Sequence, residues 1–280
     1  MKKNSPLAIV YITAVMLMLY LPILVVVLFS FNANTTRTAV MNFTGFSLHW
    51  YQGLFDATSG YGTQLLASVE VAFWSVLAAS VLGTLGAVGM LRRPLRKPLA
   101  GRAASGALSL GEQLAMLPMM IPELILGIAF MSLFTFLKLP FGKMTLILSH
   151  ITFCVPYILI TVKSRLSTLD PALNEAARDL GASPLKAFFT ITLPLAAPAI
   201  LSGSLLAFAM SMDDFVISFF VTGAETTTLP LKVYSSVKVG VTPQVNALCT
   251  VMLGAAFLLV GLGQLISAAS ERRQAQMKGA

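Results

Sequence analysis

Residues 174–194 read NEAARDLGASPLKAFFTITLP, and the rest of the chain is arranged around them. Glu175-Ala176-Ala177-Arg178 is a run of helix formers, with Asn174 placed to cap it. Gly181 ends or bends that helix. Ser183-Pro184 opens a second helix, with serine as the cap and proline at the first helical position, where a missing N–H does no harm. This second helix, Leu185 to about Thr192, puts Leu185, Phe188 and Phe189 on one apolar side. Pro194 and Pro198 are expected to close it. The segment reads as a helix–turn–helix elbow with an exposed apolar stripe. Such a stripe suits a groove on a partner protein. It suits a helix lying on lipid equally well.

Long apolar runs flank the elbow, residues 144–162 before it and 199–221 after it. A bilayer core needs about 20 such residues in a helix. Four more runs meet that length: 7–29, 65–91, 114–137 and 245–267. Charged residues are only 11% of the 280, hydrophobic residues 56%, and the mean hydropathy is +0.83. A soluble domain carries about 25% charged residues, so a soluble enzyme is excluded. The first run follows Lys2 and Lys3, but it is too long for a signal sequence and lacks a cleavage pattern; it reads as a retained anchor. Residues 1–280 read as a single all-α transmembrane domain with six spans, and residues 163–198 form its principal loop.

Lys and Arg give the orientation. Lys2 and Lys3, then Arg92, Arg93, Arg96, Lys97 and Arg102, then Lys163, Arg165, Arg178 and Lys186, then Arg272, Arg273 and Lys278 all fall on one side. Arg37, Lys138, Lys143, Lys232 and Lys238 fall on the other. Both termini and the elbow are therefore expected in the cytoplasm, in a bacterial inner membrane. The formal charge of +8 follows from these loops and does not call for nucleic acid. Cys154, Cys249, His49 and His150 show no metal-ligand spacing, no Gly-rich phosphate loop is present, and no catalytic residue or cofactor site is expected.

The spacing Glu175-Ala176-Ala177, Gly181, Ile191, Leu193-Pro194 resembles the loop pattern E-A-A-x-x-x-G-x9-I-x-L-P of binding-protein-dependent ABC importer permeases, at every fixed position. Phe46 to Tyr51, Ser149 to Cys154, Ser164 to Leu166, Asp179 to Ser183, Ser211 to Asp214, Leu229 to Ser235 and Val237 to Ala247 resemble the spermidine/putrescine permeases, PotC-type. The resemblance implies a type I importer permease of the MetI-like fold. It implies a heterodimer with a second permease subunit, two ATPase subunits that bind the ATP, and a periplasmic substrate-binding protein. Glu175, Ala176, Ala177, Gly181, Phe188, Ile191, Leu193 and Pro194 would then couple the membrane subunit to the ATPase.

Glu70, Glu123, Asp213 and Asp214 lie within apolar spans. Each would cost about 2.5–3.5 kcal/mol facing lipid, so each should face protein or water. At 1.5 Å per residue, Glu70 lies roughly 8 Å below the outer end of its span, Glu123 roughly 14 Å and Asp213 roughly 21 Å above the inner ends of theirs. All four stand from the midplane outward, which suits a cation entering from outside. Carboxylates can pair with the ammonium groups of a polyamine, and Trp50 can add a cation–π face. Asp213 and Asp214 are about 100° apart on a helix, so one is expected on the path and the other bonded within the assembly. Ser211 is an auxiliary path candidate, and His150 a hydrogen-bonded residue at a helix end. Gly83, Gly86 and Gly89 are expected to allow close helix packing. Other readings are the same mechanism with another amine-bearing solute, such as an opine or aminoalkyl phosphonate, or an ion-coupled transporter working alone. An intramembrane enzyme would need a nucleophile–base pair, and none is visible.

Overall fold

A computed structural model describes residues 6–34, 42–56, 60–91, 110–170, 172–255 and 257–258. The helices are α1 (Pro6–Ser30), α2 (His49–Gln52), α3 (Tyr61–Leu91), α4 (Leu110–Met120), α5 (Glu123–Phe136) and α6 (Lys143–Ser167). They continue with α7 (Ala172–Asp179), α8 (Pro184–Ala187), α9 (Leu193–Asp213), α10 (Val216–Val221), α11 (Leu229–Val239) and α12 over 243–255. Among the described residues the one β feature is a bridge between Asn32 and Phe46. Four helical segments are long and apolar enough to cross a membrane: Leu7–Ser30, Tyr61–Leu91, Lys143–Ser167 and Pro184–Asp213. A fifth is reached if α4 and α5 together form one span. The sixth expected span, 245–267, starts within α12, and its second half lies outside the described residues.

The chain divides into two compact units. One is Met1–Gly62 with Val233–Ala280, the other Thr63–Lys232. In the first, Asn32 organises the polar segment after α1. Its Nδ2 donates to the Asn42 carbonyl at 2.8 Å, and its Oδ1 accepts from Thr44 N at 3.0 Å and Thr44 Oγ1 at 2.8 Å. Trp50 on α2 is buried and donates its indole N–H to the Asn34 carbonyl at 3.0 Å.

The second unit holds the larger core. Ile158 of α6, fully buried, sits between Gly83 of α3 and Gly203 of α9. A Cβ on either glycine would lie 3.1 Å from Ile158. Small residues thus let three helices approach closely where lipid offers no hydrophobic drive. Gly86 packs on Leu159 in the same way, whereas among the described residues a Cβ on Gly89 would meet nothing within 4 Å. Ser80 and Ser204 hydroxyls, 2.7 Å apart, add a polar tie between α3 and α9.

Four expectations need correction. The expected third span bends by 105° between α4 and α5. Pro122 offers no N–H and biases Ile121 away from helix, so Pro122 becomes the extended cap of α5 (φ −53°, ψ 131°). The expected fifth span is also broken, because Asp214 is extended (φ −64°, ψ 119°) between α9 and α10. Pro194 and Pro198 do not close the elbow, since the chain stays helical from Pro184 to Asp213. A π turn, Phe188–Thr192, absorbs the strain: the Leu193 N–H reaches back to the Phe188 carbonyl, and Pro194 then falls in the first turn of α9. Finally, α7 begins at Ala172, with Asp170 Oδ1 accepting the Ala172 N–H at 2.9 Å, so Asn174 lies inside the helix and not at its cap.

Candidate functional site

The two helix breaks of the second unit, at Pro122 and at Asp214, open on one cleft of about 170 Å³. Glu123, Asp213 and Asp214 line it, with Phe153 and Tyr157 from α6 and Phe215 from the second break. Glu123 stands in the first turn of α5, where the positive end of the helix favours a carboxylate by about 0.3–1 kcal/mol. The breaks come together because α10 packs on α5. A Cβ on Gly127 would be 2.7 Å from the Phe220 ring and 3.4 Å from the Ile217 backbone, so glycine is required there.

The adjacent aspartates turn in different directions. Asp213, the last residue of α9, is exposed at the cleft. Asp214 is buried and faces the bundle. Its Oδ2 accepts from Ser218 N at 2.8 Å and Ser218 Oγ at 2.7 Å, and its Oδ1 from Ile217 N at 3.3 Å. It therefore caps α10, satisfying N–H groups the break would leave unpaired. His150 Nε2 lies 3.4 Å from Asp214 Oδ2 and 3.1 Å from Ser218 Oγ, and Nδ1 lies 2.7 Å from Ser211 Oγ.

Several candidate residues lie elsewhere. Ser211 is buried against His150 and does not line the cleft. His150 is no helix-end residue, because it sits well inside α6. Glu70 pairs with Lys143 at 2.8 Å, both about half exposed and away from the cleft. Trp50 belongs to the first unit, its indole N–H already engaged. Sequence reasoning passed over Ser218, though an aspartate followed four residues later by a serine is a spacing that closes such a contact on a helix.

The elbow is built locally. Gly181 has φ +82°, a left-handed conformation that favours glycine. Around it, Gly181 N donates to the Arg178 carbonyl and Ala182 N to the Ala177 carbonyl, both at 2.9 Å. These two bonds are the Schellman closure of a helix. Ser183 Oγ accepts the Lys186 N–H at 3.3 Å and starts α8. Leu180, Leu185 and Phe189 are exposed, at 89%, 70% and 56%, whereas Phe188 is half-buried edge-on to Phe189 and Ala187 is buried. The exposed apolar set is therefore Leu180, Leu185 and Phe189 and omits Phe188. Glu175 and Pro194 are exposed, and Ala177 is buried. Ile191 and Leu193 are partly covered. Arg165 Nε donates to the Leu195 carbonyl at 3.2 Å, tying the end of α6 to the start of α9. The elbow thus joins the base of two core helices to an exposed apolar surface.

Residues 109–276, which hold both elbow and cleft, match the family described as the binding-protein-dependent transport system inner membrane component. The chain belongs to that family. This permease is 40% identical over 262 residues to the spermidine/putrescine transport system permease protein PotC of Escherichia coli, covering 92% of each chain. It is 39% identical to the PotC of Haemophilus influenzae, covering 89% of the permease and 91% of that relative. To the putrescine transport system permease protein PotI of Escherichia coli it is 38% identical, covering 97% and 94%. Among solved structures it resembles the inward-facing MetNI methionine ABC transporter, with a TM-score of 0.59 at 18% identity, covering 72% of the permease and 91% of that chain. At that identity the likeness speaks for the fold alone.

Proposed function

We propose that the permease imports polyamines as one of two membrane subunits of an ATP-driven transporter. The observation that carries this reading is the cleft, where two broken helices bring Glu123 and Asp213 to one aromatic-walled space inside an apolar bundle. An ammonium group can pair with a carboxylate there, and the faces of Phe153 and Tyr157 favour a cation further. The relatives named above, two for spermidine/putrescine and one for putrescine, support the same substrate class. Glu123 and Asp213 are the proposed substrate ligands; Asp214 shapes the break, and Glu70, Trp50 and Ser211 are left to structural contacts.

The elbow supplies the drive. Glu175, Ala176, Ala177 and Gly181 form its entry helix and turn, and Leu180, Leu185 and Phe189 its exposed apolar surface. This surface fits a groove on an ATPase subunit in the cytoplasm. Because the chain stays helical from Pro184 to Asp213, movement of the elbow is carried along α9 to the cleft. ATP is bound and hydrolysed by partner subunits, and a binding protein delivers the substrate at the outer face of the inner membrane. Both termini lie in the cytoplasm, as the Lys and Arg distribution requires.

The test is uptake of labelled putrescine and spermidine by cells carrying the complete transporter, with opine and aminoalkyl phosphonate competitors. Saturable polyamine uptake that needs the ATPase subunit and the binding protein is expected. Competition by the other amines alone would move the substrate assignment, and uptake without the ATPase would overturn the mechanism.

A further inference from the structure

One imidazole spans the broken helix. His150 on α6 is 1% exposed, and its two ring nitrogens touch opposite sides of the break. Nδ1 meets Ser211, in the last turn of α9, and Nε2 meets Ser218, in α10, and Asp214 between them. Ser218 Oγ gives its hydrogen to Asp214 Oδ2, so its oxygen is free to accept, and the His150 Nε2–H is the donor aimed at it. In the neutral ring Nδ1 then accepts the Ser211 hydroxyl hydrogen. The chain of contacts is closed and every polar atom of the ring is used. Phe153, on the same helix, packs on the imidazole with ring centres 5.0 Å apart and itself lines the cleft. Asp213 is held between two anchored neighbours, with Ser211 on one side and Asp214 on the other.

We propose that His150 is a positioning residue. It fixes the break so that the carboxylate of Asp213, and not that of Asp214, is presented to the cleft. The inference rests on the reading of Asp213 as an ammonium ligand. His150 itself touches no substrate and transfers no proton.

The experiment uses the whole transporter with its binding protein in vesicles and labelled putrescine as the probe. Wild type and Asp213→Asn are measured first. No putrescine uptake by wild type, or an unchanged KM in Asp213→Asn, overturns the underlying reading and with it this one. Given those controls, His150→Ala is expected to raise KM about tenfold with Vmax within about twofold, and to add nothing in the Asp213→Asn background. His150→Gln, whose amide nitrogen reaches the Nε2 position, is expected to restore KM; His150→Asn, which reaches only the Nδ1 position, is not. If His150→Ala does not assemble, Ser218→Ala carries the test, because it removes one hydroxyl and keeps the backbone N–H bond to Asp214. It should raise KM by a smaller factor, again only while Asp213 is present. An unchanged KM, a loss confined to Vmax, or an effect that multiplies with Asp213→Asn would overturn the proposal.

Discussion

The two ends of α9 reverse the usual rule for helix breaks. At the start, Pro194 and Pro198 lie where a helix should stop, yet helical structure runs unbroken from Pro184. At the end, Ser211-Met212-Asp213-Asp214-Phe215 contains neither proline nor glycine, yet the helix is cut at Asp214. At the first end one π turn, in which the Leu193 N–H reaches the Phe188 carbonyl, puts Pro194 in the first turn of α9, where its missing N–H does no harm, and the helix continues through Pro198. At the second, the Ile217 and Ser218 N–H groups released by the break are taken up by Asp214, which the Ser218 hydroxyl and His150 brace in turn. In an apolar bundle, then, a helix breaks where polar partners exist to receive its freed groups, and continues where they do not. The elbow end is thus continuous with α9 as far as the break, and the other end opens on the cleft.

The largest effect is expected at the elbow. A Cβ at Gly181 meets no atom within 4 Å, so Gly181→Asp faces only the strain of φ +82°, about 1–2 kcal/mol, and the permease should still insert. The Schellman turn between α7 and α8 would nonetheless be displaced, and with it the coupling surface. Uptake should be lost, and substrate-stimulated ATP hydrolysis with it. Glu175→Lys, on the exposed face of α7, should act alike. Normal uptake in both would show that the elbow does not drive the cleft.

At the opening the first effect is on stability. Asp214→Ala leaves Ser218 N–H, Ser218 Oγ–H and Ile217 N–H without their acceptor. Losing hydrogen bonds to a buried charged group costs about 3 kcal/mol in sum. The thermal unfolding midpoint of the purified complex should fall clearly. Asp214→Asn keeps one acceptor oxygen and should fall by less. Equal midpoints would mean that the break is set by something other than this cap.

The contrast also explains what the sequence could disclose. The elbow is legible because its signals are local: Gly181 for the left-handed turn, Ser183-Pro184 for the cap and first position, and a spacing that groups Leu185, Phe188 and Phe189, of which the fold half-buries Phe188. The apolar runs around Ile158 are legible from hydropathy. The break at Asp214 is not, because its partner His150 lies on another helix and only the folded bundle brings the two together. The bend at Pro122 is half legible, since proline gives the place but not the 105°. The start of α7 is not legible, because Asp170 and Asn174 are both good caps and nothing in the sequence separates them.

A smaller effect is expected from Asp213, which makes the cleft negative without holding the break. Asp213→Asn should raise KM for putrescine about tenfold, equivalent to about 1.4 kcal/mol, while the unfolding midpoint stays where it is. That pattern is the reverse of Asp214→Ala. If Asp213→Asn lowered the midpoint and spared KM, the division of labour between the two neighbours would be wrong.

The smallest effect belongs to the acid that resembles these least. Glu70 also lies in an apolar helix, but its partner Lys143 is 2.8 Å away and both side chains are about half exposed. Pairs of that kind contribute about 0–1 kcal/mol, because water already solvates each partner. Glu70→Gln should therefore leave the unfolding free energy within about 1 kcal/mol and putrescine uptake within about twofold. Raising the salt concentration should narrow even that difference, since exposed pairs are screened. A tenfold rise in KM on this substitution would place Glu70 on the substrate path despite its distance from the cleft residues. The helix breaks would then no longer be what separates an acid that meets the substrate from one that does not.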